Sequence, residues 1–259
     1  QEKLKFKSST KYSQFSRSMQ SQRRHVLIAG CGYVGQRLAL RLREHFDVTG
    51  LVRSAERAAE LERMGLRALA IDFDRVRPGV TIPERLDQEA IVYLTPPPVL
   101  GESDLRLDRF LHLAMVPPPT FVYMSTTGVY GDTAGAVVDE SSPVQPRTDR
   151  ARRRVTAEEM TRVWCNERHV RRVVLRVPGI YGPDRLTLER LRHVEPVVRE
   201  REAGMNNRIH VDDLVEACVR SIANPQARGV YNVSDGLPLS STTFINMVAK
   251  AADLPAPPQ

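Results

Sequence analysis

The sequence predicts an α/β fold: a doubly wound parallel sheet followed by a small C-terminal lobe. Three observations predict it. From residue 25 onward, short apolar runs alternate with amphipathic helical stretches, the order of successive βαβ units. The first apolar run, Val26-Leu27-Ile28, leads directly into Gly30-x-Gly32-x-x-Gly35. Beyond it Val34, Leu38, Leu42 and Phe46 recur at helical spacing. Finally, 259 residues of which 41% are hydrophobic suffice for one large core, or for a domain with a smaller lobe.

The glycine turn comes first. Gly30 allows a tight turn off the strand, and Gly32, lacking a Cβ, lets a ligand's phosphates approach the backbone. Gly35 lets the helix pack closely on the sheet. The helix N-terminus then offers free N–H groups and the positive end of its dipole. The segment Gly30, Cys31, Gly32, Tyr33, Val34, Gly35 therefore predicts a Rossmann-type dinucleotide site. The alternative is a structural turn in some other α/β domain. Cys31 reads as a small filler in this turn, with a reactive thiol at a helix start as the rival.

The later elements follow in order. Residues 47–52 form a second strand and 54–64 a helix with Ser54 as N-cap. Residues 66–71 form a third strand ending at Asp72. Residues 90–94 form a fourth, closed by Thr95-Pro96-Pro97-Pro98. Residues 103–115 are helical, 120–124 a fifth strand, and 148–168 a long polar helix. Residues 172–177 form a sixth strand, 212–223 a helix, 230–233 a short strand and 241–252 a last helix. The expected division is a disordered basic tail over 1–24, a dinucleotide-binding core over 25–177, and a mixed region over 178–259. That last region combines a substrate lobe with elements returning to the core.

Cofactor choice is read at the end of the second strand. An acid there hydrogen-bonds the ribose 2′-OH of NAD, whereas an Arg accommodates the 2′-phosphate of NADP. The strand ends at Arg53-Ser54, with Arg57 about one helical turn on. NADP is the preferred expectation and NAD remains possible; Arg53 as a solvated surface residue is the alternative. Asp72 would lie near the adenine or cap the following turn. Thr95 and Pro96, at the end of the fourth strand, complete the expected cofactor set.

The net charge of +7 is unevenly spread. Residues 1–24 hold seven basic residues against Glu2 alone, leaving a net charge of only +1 on the rest. A nucleic-acid partner is therefore not expected. The tail is Ser-, Gln- and Lys-rich without apolar periodicity. Its expected origin is sequence upstream of a natural start at Met19, with a targeting peptide as the rival. No run reaches about 18 apolar residues, so no membrane span is expected. Three scattered cysteines, Cys31, Cys165 and Cys218, suit free thiols in a reducing compartment, and a cytoplasmic protein is expected.

Four blocks together resemble a known family. They are the glycine turn, Ser125-Thr126-Thr127-Gly128-Val129-Tyr130-Gly131, Leu175-Arg176-Val177-Pro178-Gly179-Ile180-Tyr181-Gly182-Pro183, and Asn207-Arg208-Ile209-His210-Val211-Asp212-Asp213-Leu214. Their order resembles the extended short-chain dehydrogenase/reductases, including the NAD-dependent epimerase/dehydratase group. Within these, the likeness is to the atypical YeeZ-like branch, over about residues 25–255.

The resemblance implies a Tyr-x-x-x-Lys pair on the long helix and a hydroxyl on the loop after the fifth strand. Counting back from Tyr130, Thr126 takes the hydroxyl place and would orient the substrate. With Glu158 as anchor, Arg150 stands at the Tyr position and Arg154 at the Lys position, so the pair is absent. A guanidinium cannot cycle a proton near neutral pH. Arg154 is left as a fixed positive charge near the ribose or a substrate anion. Arg147, Arg150, Arg152 and Arg153 are expected on a solvated face. Tyr130 and Tyr181 read as packing or substrate-lining residues. In the family, the stretch around His210 mainly begins a helix and joins the lobes. The branch implies a further short segment past the last helix, so a gap over the cleft is expected. The expected activity is that of an NAD(P)-binding oxidoreductase or epimerase acting on a small molecule, as monomer or homodimer. A dinucleotide-binding redox sensor without turnover is the alternative.

Overall fold

In a computed structural model of the chain, residues 23–76, 80–82, 87–186 and 188–259 are described. Seven parallel strands form the central sheet. They are β1 (His25–Ala29), β2 (Asp47–Val52), β3 (Arg67–Ala70), β4 (Gln88–Tyr93), β5 (Thr120–Thr126), β6 (Arg171–Val177) and, after three short strands, β10 (Gly229–Asn232). Their spatial order is β10-β6-β5-β4-β1-β2-β3. The chain runs outward from β1 to β3, then crosses back to β4 and proceeds the other way. The reversal lies between β1 and β4, where doubly wound sheets bind their ligands.

Helices cover both faces, as a buried parallel sheet requires. On one face α1 (Tyr33–Leu42), α2 (Ala55–Arg63) and α6 (Val211–Ala223) pack on alternate strand residues. Val26 and Ile28 of β1 meet Leu38, Leu61 and Leu214 there. On the other face Leu27 and Ala29 share a core with α3 (Leu105–Leu113) and α4 (Asp149–Glu167), through Phe110, Phe121 and Trp164. Outside the central sheet the chain forms the short helix α5 (Leu188–Arg192), the two-stranded parallel pair β7 (Gly179–Tyr181) with β9 (Arg208–His210), and the antiparallel pair β8 (Met205–Asn206) with β11 (Leu239–Ser240). The last helix, α7 (Ser241–Ala251), joins α5 in a small separate cluster around Leu191, Val248 and Ala249.

The doubly wound parallel sheet expected from the sequence is present, with element ends moved by one or two residues. The helix expected from 103 begins at 105 because Asp104 caps it, its Oδ1 accepting the Leu107 N–H at 3.1 Å. The strands β7, β8, β9 and β11 and the helix α5 were not anticipated; two to five residues are too few to show a period.

One expectation is overturned. Arg153 is not on a solvated face: it is 5% exposed, and its Nη1 donates to the Gly101 carbonyl at 2.6 Å. Helix α4 buries Ala157, Trp164 and Cys165 against the sheet and, beside them, the polar side chains of Arg153, Arg154, Glu158 and Thr161. Of the predicted tail, residues 1–22 lie outside the described residues. Arg23 and Arg24 contact the body, Arg23 donating to the Arg43 carbonyl at 3.1 Å and Arg24 pairing with Glu89. No helix among the described residues is long and apolar enough to cross a membrane.

Candidate functional site

A cleft of about 480 Å³ opens at the C-terminal ends of β1, β2 and β4. It is the meeting point of the chain reversal and the glycine turn. Gly30, Cys31, Gly32, Tyr33, Val34 and Gly35 line it, as do Arg53, Asp72, Thr95, Pro96 and Arg154.

The glycines have distinct physical reasons. Gly30 has φ +94°, and a Cβ on it would stand 2.6 Å from the Thr95 nitrogen, so the turn off β1 sits directly against the loop after β4. A Cβ on Gly35 would meet the Gly30 carbonyl oxygen at 2.7 Å. Gly32 differs: nothing lies within 4 Å of a Cβ built there. It caps α1 with no side-chain hydrogen bond, and the helix has no acid in its first turn. The positive end of α1 is thus left open to a ligand anion.

Cys31 is a filler. It is 1% exposed and lies against β2, so that a Cβ on Gly50 would stand 2.8 Å from its Sγ. Burial pushes its thiol up to about 11, against a smaller opposing pull from Arg57. Tyr33 reaches across the turn instead. Its hydroxyl donates to the Pro183 carbonyl at 2.6 Å, and the guanidinium carbons of Arg37 and Arg185 lie 4.0 and 4.2 Å from its ring centroid. The glycine turn is thereby tied to the loop that follows β7.

At the β2 and β3 ends, Arg53 stands between two carboxylates. Its Nε is 3.4 Å from Asp72 Oδ2 and its Nη2 3.5 Å from Asp74 Oδ2. Arg106 makes a two-pronged bond to Asp74, at 2.7 and 2.5 Å, and donates to the Pro96 carbonyl at 3.0 Å. Hydrogen bonding from Arg106 is the main cause that holds the Asp74 carboxyl below its usual range. Arg57 donates to Gln36 Oε1 at 2.7 Å. Ser54 does not line the cleft; its Oγ accepts the Arg57 N–H at 3.4 Å and caps α2.

On the β5 side, Arg150 and Arg154 enter from α4 and both line the cleft. Arg154 is 6% exposed. Its Nη1 donates to the Tyr123 hydroxyl at 3.1 Å and the Met124 carbonyl at 2.9 Å, while its Nε is buried with no partner. Thr126 is half-buried and is not among the lining residues. Its Oγ1 accepts the Gly128 N–H at 3.2 Å and caps the turn that carries Tyr130.

Beneath this wall runs a buried polar chain. Ser125 Oγ donates to Glu158 Oε1 at 2.5 Å. Arg176 binds Glu158 and donates to the Tyr130 hydroxyl at 2.8 Å, and that hydroxyl donates to Asn232 Oδ1 at 2.8 Å. Tyr130 is therefore a structural link between β6 and β10. Tyr181 stacks edge-on against His210 and Phe244, and burial, with Asp235 next, raises its hydroxyl. His210 caps α6, its Nδ1 accepting the Asp212 N–H at 3.3 Å. No His, Cys, Asp and Glu cluster among the described residues suits a metal ion.

The sequence reading did not single out Arg106 as a cleft residue. It sits in no motif and arrives through a contact with Asp74 that only the fold creates. Arg185 stood in the sequence among five arginines of residues 178–207, a mixed surface from which one or two could contact an anionic substrate; it lines the cleft, stacked on Tyr33.

The sequence profile of the NAD-dependent epimerase/dehydratase family matches residues 26–234. The chain belongs to that family. Among curated relatives it is similar to the protein YeeZ of Escherichia coli, 25% identical over 90% of this chain and 85% of that one. Among solved structures, a conserved protein of Silicibacter pomeroyi is 28% identical with a TM-score of 0.74, over 91% of this chain and 80% of the other. A UDP-glucuronic acid 4-epimerase of Bacillus cereus in complex with NAD superposes with a TM-score of 0.76 over 91% of this chain and 86% of its own. At 17% identity that likeness shows the shared fold. Family membership accounts for the order of the four sequence blocks.

Proposed function

We propose that the cleft binds a nicotinamide dinucleotide and that the protein is an NAD(P)-dependent oxidoreductase or epimerase-type enzyme acting on a small molecule. The observation that carries this reading is the glycine cradle at the chain reversal. Gly32 leaves room exactly where a Cβ would otherwise intrude on a bound pyrophosphate, above an uncapped, acid-free helix N-terminus. Gly30, Cys31, Gly32, Tyr33, Val34 and Gly35 would hold the phosphates, with Thr95 and Pro96 closing the opposite side. When bound, the dinucleotide supplies hydride chemistry.

The ribose end offers both kinds of recognition. Arg53 and Arg57 supply the positive charge a 2′-phosphate needs, and Asp72 and Asp74 the acceptors that suit a 2′-OH. NADP is the preferred cofactor in this reading and NAD the alternative. The NAD complex of the Bacillus cereus epimerase supports dinucleotide binding as such without deciding between them.

A second reading is favoured by one observation. Arg150 and Arg154, which line the cleft at the expected Tyr and Lys positions, cannot exchange protons near neutral pH. Cys31, the lining thiol, is held protonated, and Tyr33 donates its hydroxyl proton to Pro183. A dinucleotide-binding sensor without turnover fits that wall. If the protein is an enzyme, the proton comes from water or the substrate itself; Thr126, expected to orient the substrate, caps the Gly128 turn and does not line this cleft.

Fluorescence titration with NADPH and NADH, followed by turnover assays on carbonyl and sugar-nucleotide substrates, tests both. Saturable NADPH binding with turnover supports the enzyme. Binding without turnover supports the sensor. No binding of either dinucleotide sinks both.

A further inference from the structure

The cations lining the cleft fall into two groups. Toward β2 and β3 they are matched by acids: Arg53 by Asp72 and Asp74, Arg57 by Glu60, Arg106 by Asp74. Toward β5 they are not. Arg150 and Arg154 on α4 line the same cleft, as does Arg185, which stacks on Tyr33 at the start of α1, and none of the three forms an ion pair among the described residues.

Arg154 is the most informative of the three. It is more than nine-tenths buried, and its Nε has no partner. No neighbouring acid forms an ion pair with it. Glu158, one helical turn on, is bound by Arg176 and Ser125. Asp104 feels the charge of Arg154, but its Oδ1 caps α3 and its buried Oδ2 bonds to no group, so it offsets that charge only from beyond ion-pair distance. A buried guanidinium with an unused donor is costly unless an anion compensates it. Arg150, four residues earlier on α4, shares its helix face and reaches the same space from solvent. A pair of planar forks suits the two oxygens of a carboxylate or phosphate.

The dinucleotide's own phosphates could account for Arg185, which stands at the start of α1, but not for Arg150 and Arg154. The pyrophosphate belongs over the N-terminus of α1 and a 2′-phosphate beside Arg53, at the β1 and β2 ends, whereas Arg154 is bonded to Met124 on β5.

We propose that Arg150 and Arg154 form a subsite for the carboxylate or phosphate group of a small anionic substrate. The subsite lies beside the dinucleotide, and it rests on the dinucleotide reading for that position alone. Guanidinium groups in place of Tyr and Lys then have a use: they recognise charge where proton transfer is lost.

The test is calorimetric titration of the full chain with inorganic phosphate, and separately with acetate, in chloride buffer, alone and saturated with NADPH. The expected result is saturable binding of at least one anion that persists with NADPH present. It should weaken about tenfold or more in Arg150→Gln and in Arg154→Lys, since the latter keeps the charge and loses the fork. Arg150 is exposed, so its variant is expected to keep the wild-type melting temperature. Preference for acetate assigns a carboxylate, and preference for phosphate a phosphate ester. The proposal is overturned if neither anion binds, if NADPH displaces the anion completely, or if Arg150→Gln binds it as tightly as the parent. A chain that binds the anion through Arg150 but does not bind NADPH refutes the dinucleotide reading and leaves the subsite standing.

Discussion

Arg176 on β6 grips Glu158 on α4 through two bonds, Nε to Oε1 at 3.1 Å and Nη2 to Oε2 at 2.8 Å, with both side chains buried. The pair anchors the helix that forms the cleft wall, and it passes its hold to β10 through Tyr130 and Asn232. Burial alone would lower the Arg176 pKa, yet its bonds to Glu158 and Tyr130 leave it raised overall. Removing one partner strands the other charge in the core. Arg176→Leu is therefore expected to cost about 3–5 kcal/mol. The double variant Arg176→Leu with Glu158→Leu should recover much of that loss, because it removes both desolvation costs. Urea unfolding of the two single variants and the double variant checks this. Equal destabilisation by the single and double variants would show that the pair itself, not the stranded charge, sets the stability.

The glycines of the turn should separate stability from binding. Gly30→Ala forces a side chain into φ +94° and into the Thr95 backbone at 2.6 Å, and is expected to destabilise by about 1–3 kcal/mol. Gly32→Ala meets no protein atom within 4 Å, so its stability should change by less than about 1 kcal/mol. Its Cβ instead enters the space proposed for the pyrophosphate, and NADPH affinity should fall about tenfold or more. Thermal melting and NADPH titration of both variants decide the matter. Unchanged affinity in Gly32→Ala would mean that the dinucleotide does not lie over this turn.

How much of this was legible in the sequence depends on whether the signal is periodic or tertiary. The strand–glycine–helix run from His25 to Leu42 was legible because a strand buried on both faces reads as a continuous apolar run and the helix after it repeats its apolar residues at period 3.6. The cleft's cradle followed from it. Helix α4 was legible as a helix through its Thr148 cap, whose Oγ1 accepts the Ala151 N–H, but its buried face was not. A buried face normally announces itself by apolar residues, whereas α4 also buries Arg153, Arg154 and Glu158, which find partners on the loop at Gly101, β5 and β6 while the Nε atoms of both arginines stay unpartnered. Each pairing joins residues distant in the chain, such as Glu158 with Arg176, and no local pattern records it. The expected solvated place of Arg153 failed for that reason, and Arg106 went unnoticed for the same one.

Arg53 gives a prediction about cofactor choice. Its guanidinium lies 3.4 and 3.5 Å from Asp72 and Asp74 and is largely exposed, so it is held loosely and free to turn toward a 2′-phosphate. Exposed ion pairs are worth about 0–1 kcal/mol, less than a charge-assisted bond to a phosphate, about 1.5–3 kcal/mol. Arg53→Ala is therefore expected to weaken NADPH binding by about tenfold and to leave NADH binding within about twofold. Parallel titrations with the two dinucleotides measure it. An equal loss for both, or no loss for NADPH, would remove Arg53 from cofactor recognition.

The three thiols give a prediction about pH. Cys31, Cys165 and Cys218 are all buried and unpaired, and burial raises them to about 11, about 12 and about 12 from an ordinary value of 9.0. At pH 8 the folded chain should hold them almost wholly protonated, and Ellman's reagent should label none until the protein unfolds. The linkage follows from the same shifts. The folded state keeps its thiol protons to higher pH than the unfolded chain does, so this contribution to stability is intact below about pH 9 and is lost as the pH climbs toward 11 to 12. Urea midpoints should accordingly fall between pH 8.5 and pH 11 in the parent. The fall should be smaller in Cys218→Ala, after allowing for the cavity that truncation leaves. Rapid labelling of Cys31 at pH 8 in the folded protein would contradict its place against Gly50 and reopen the glycine turn as a reactive thiol site.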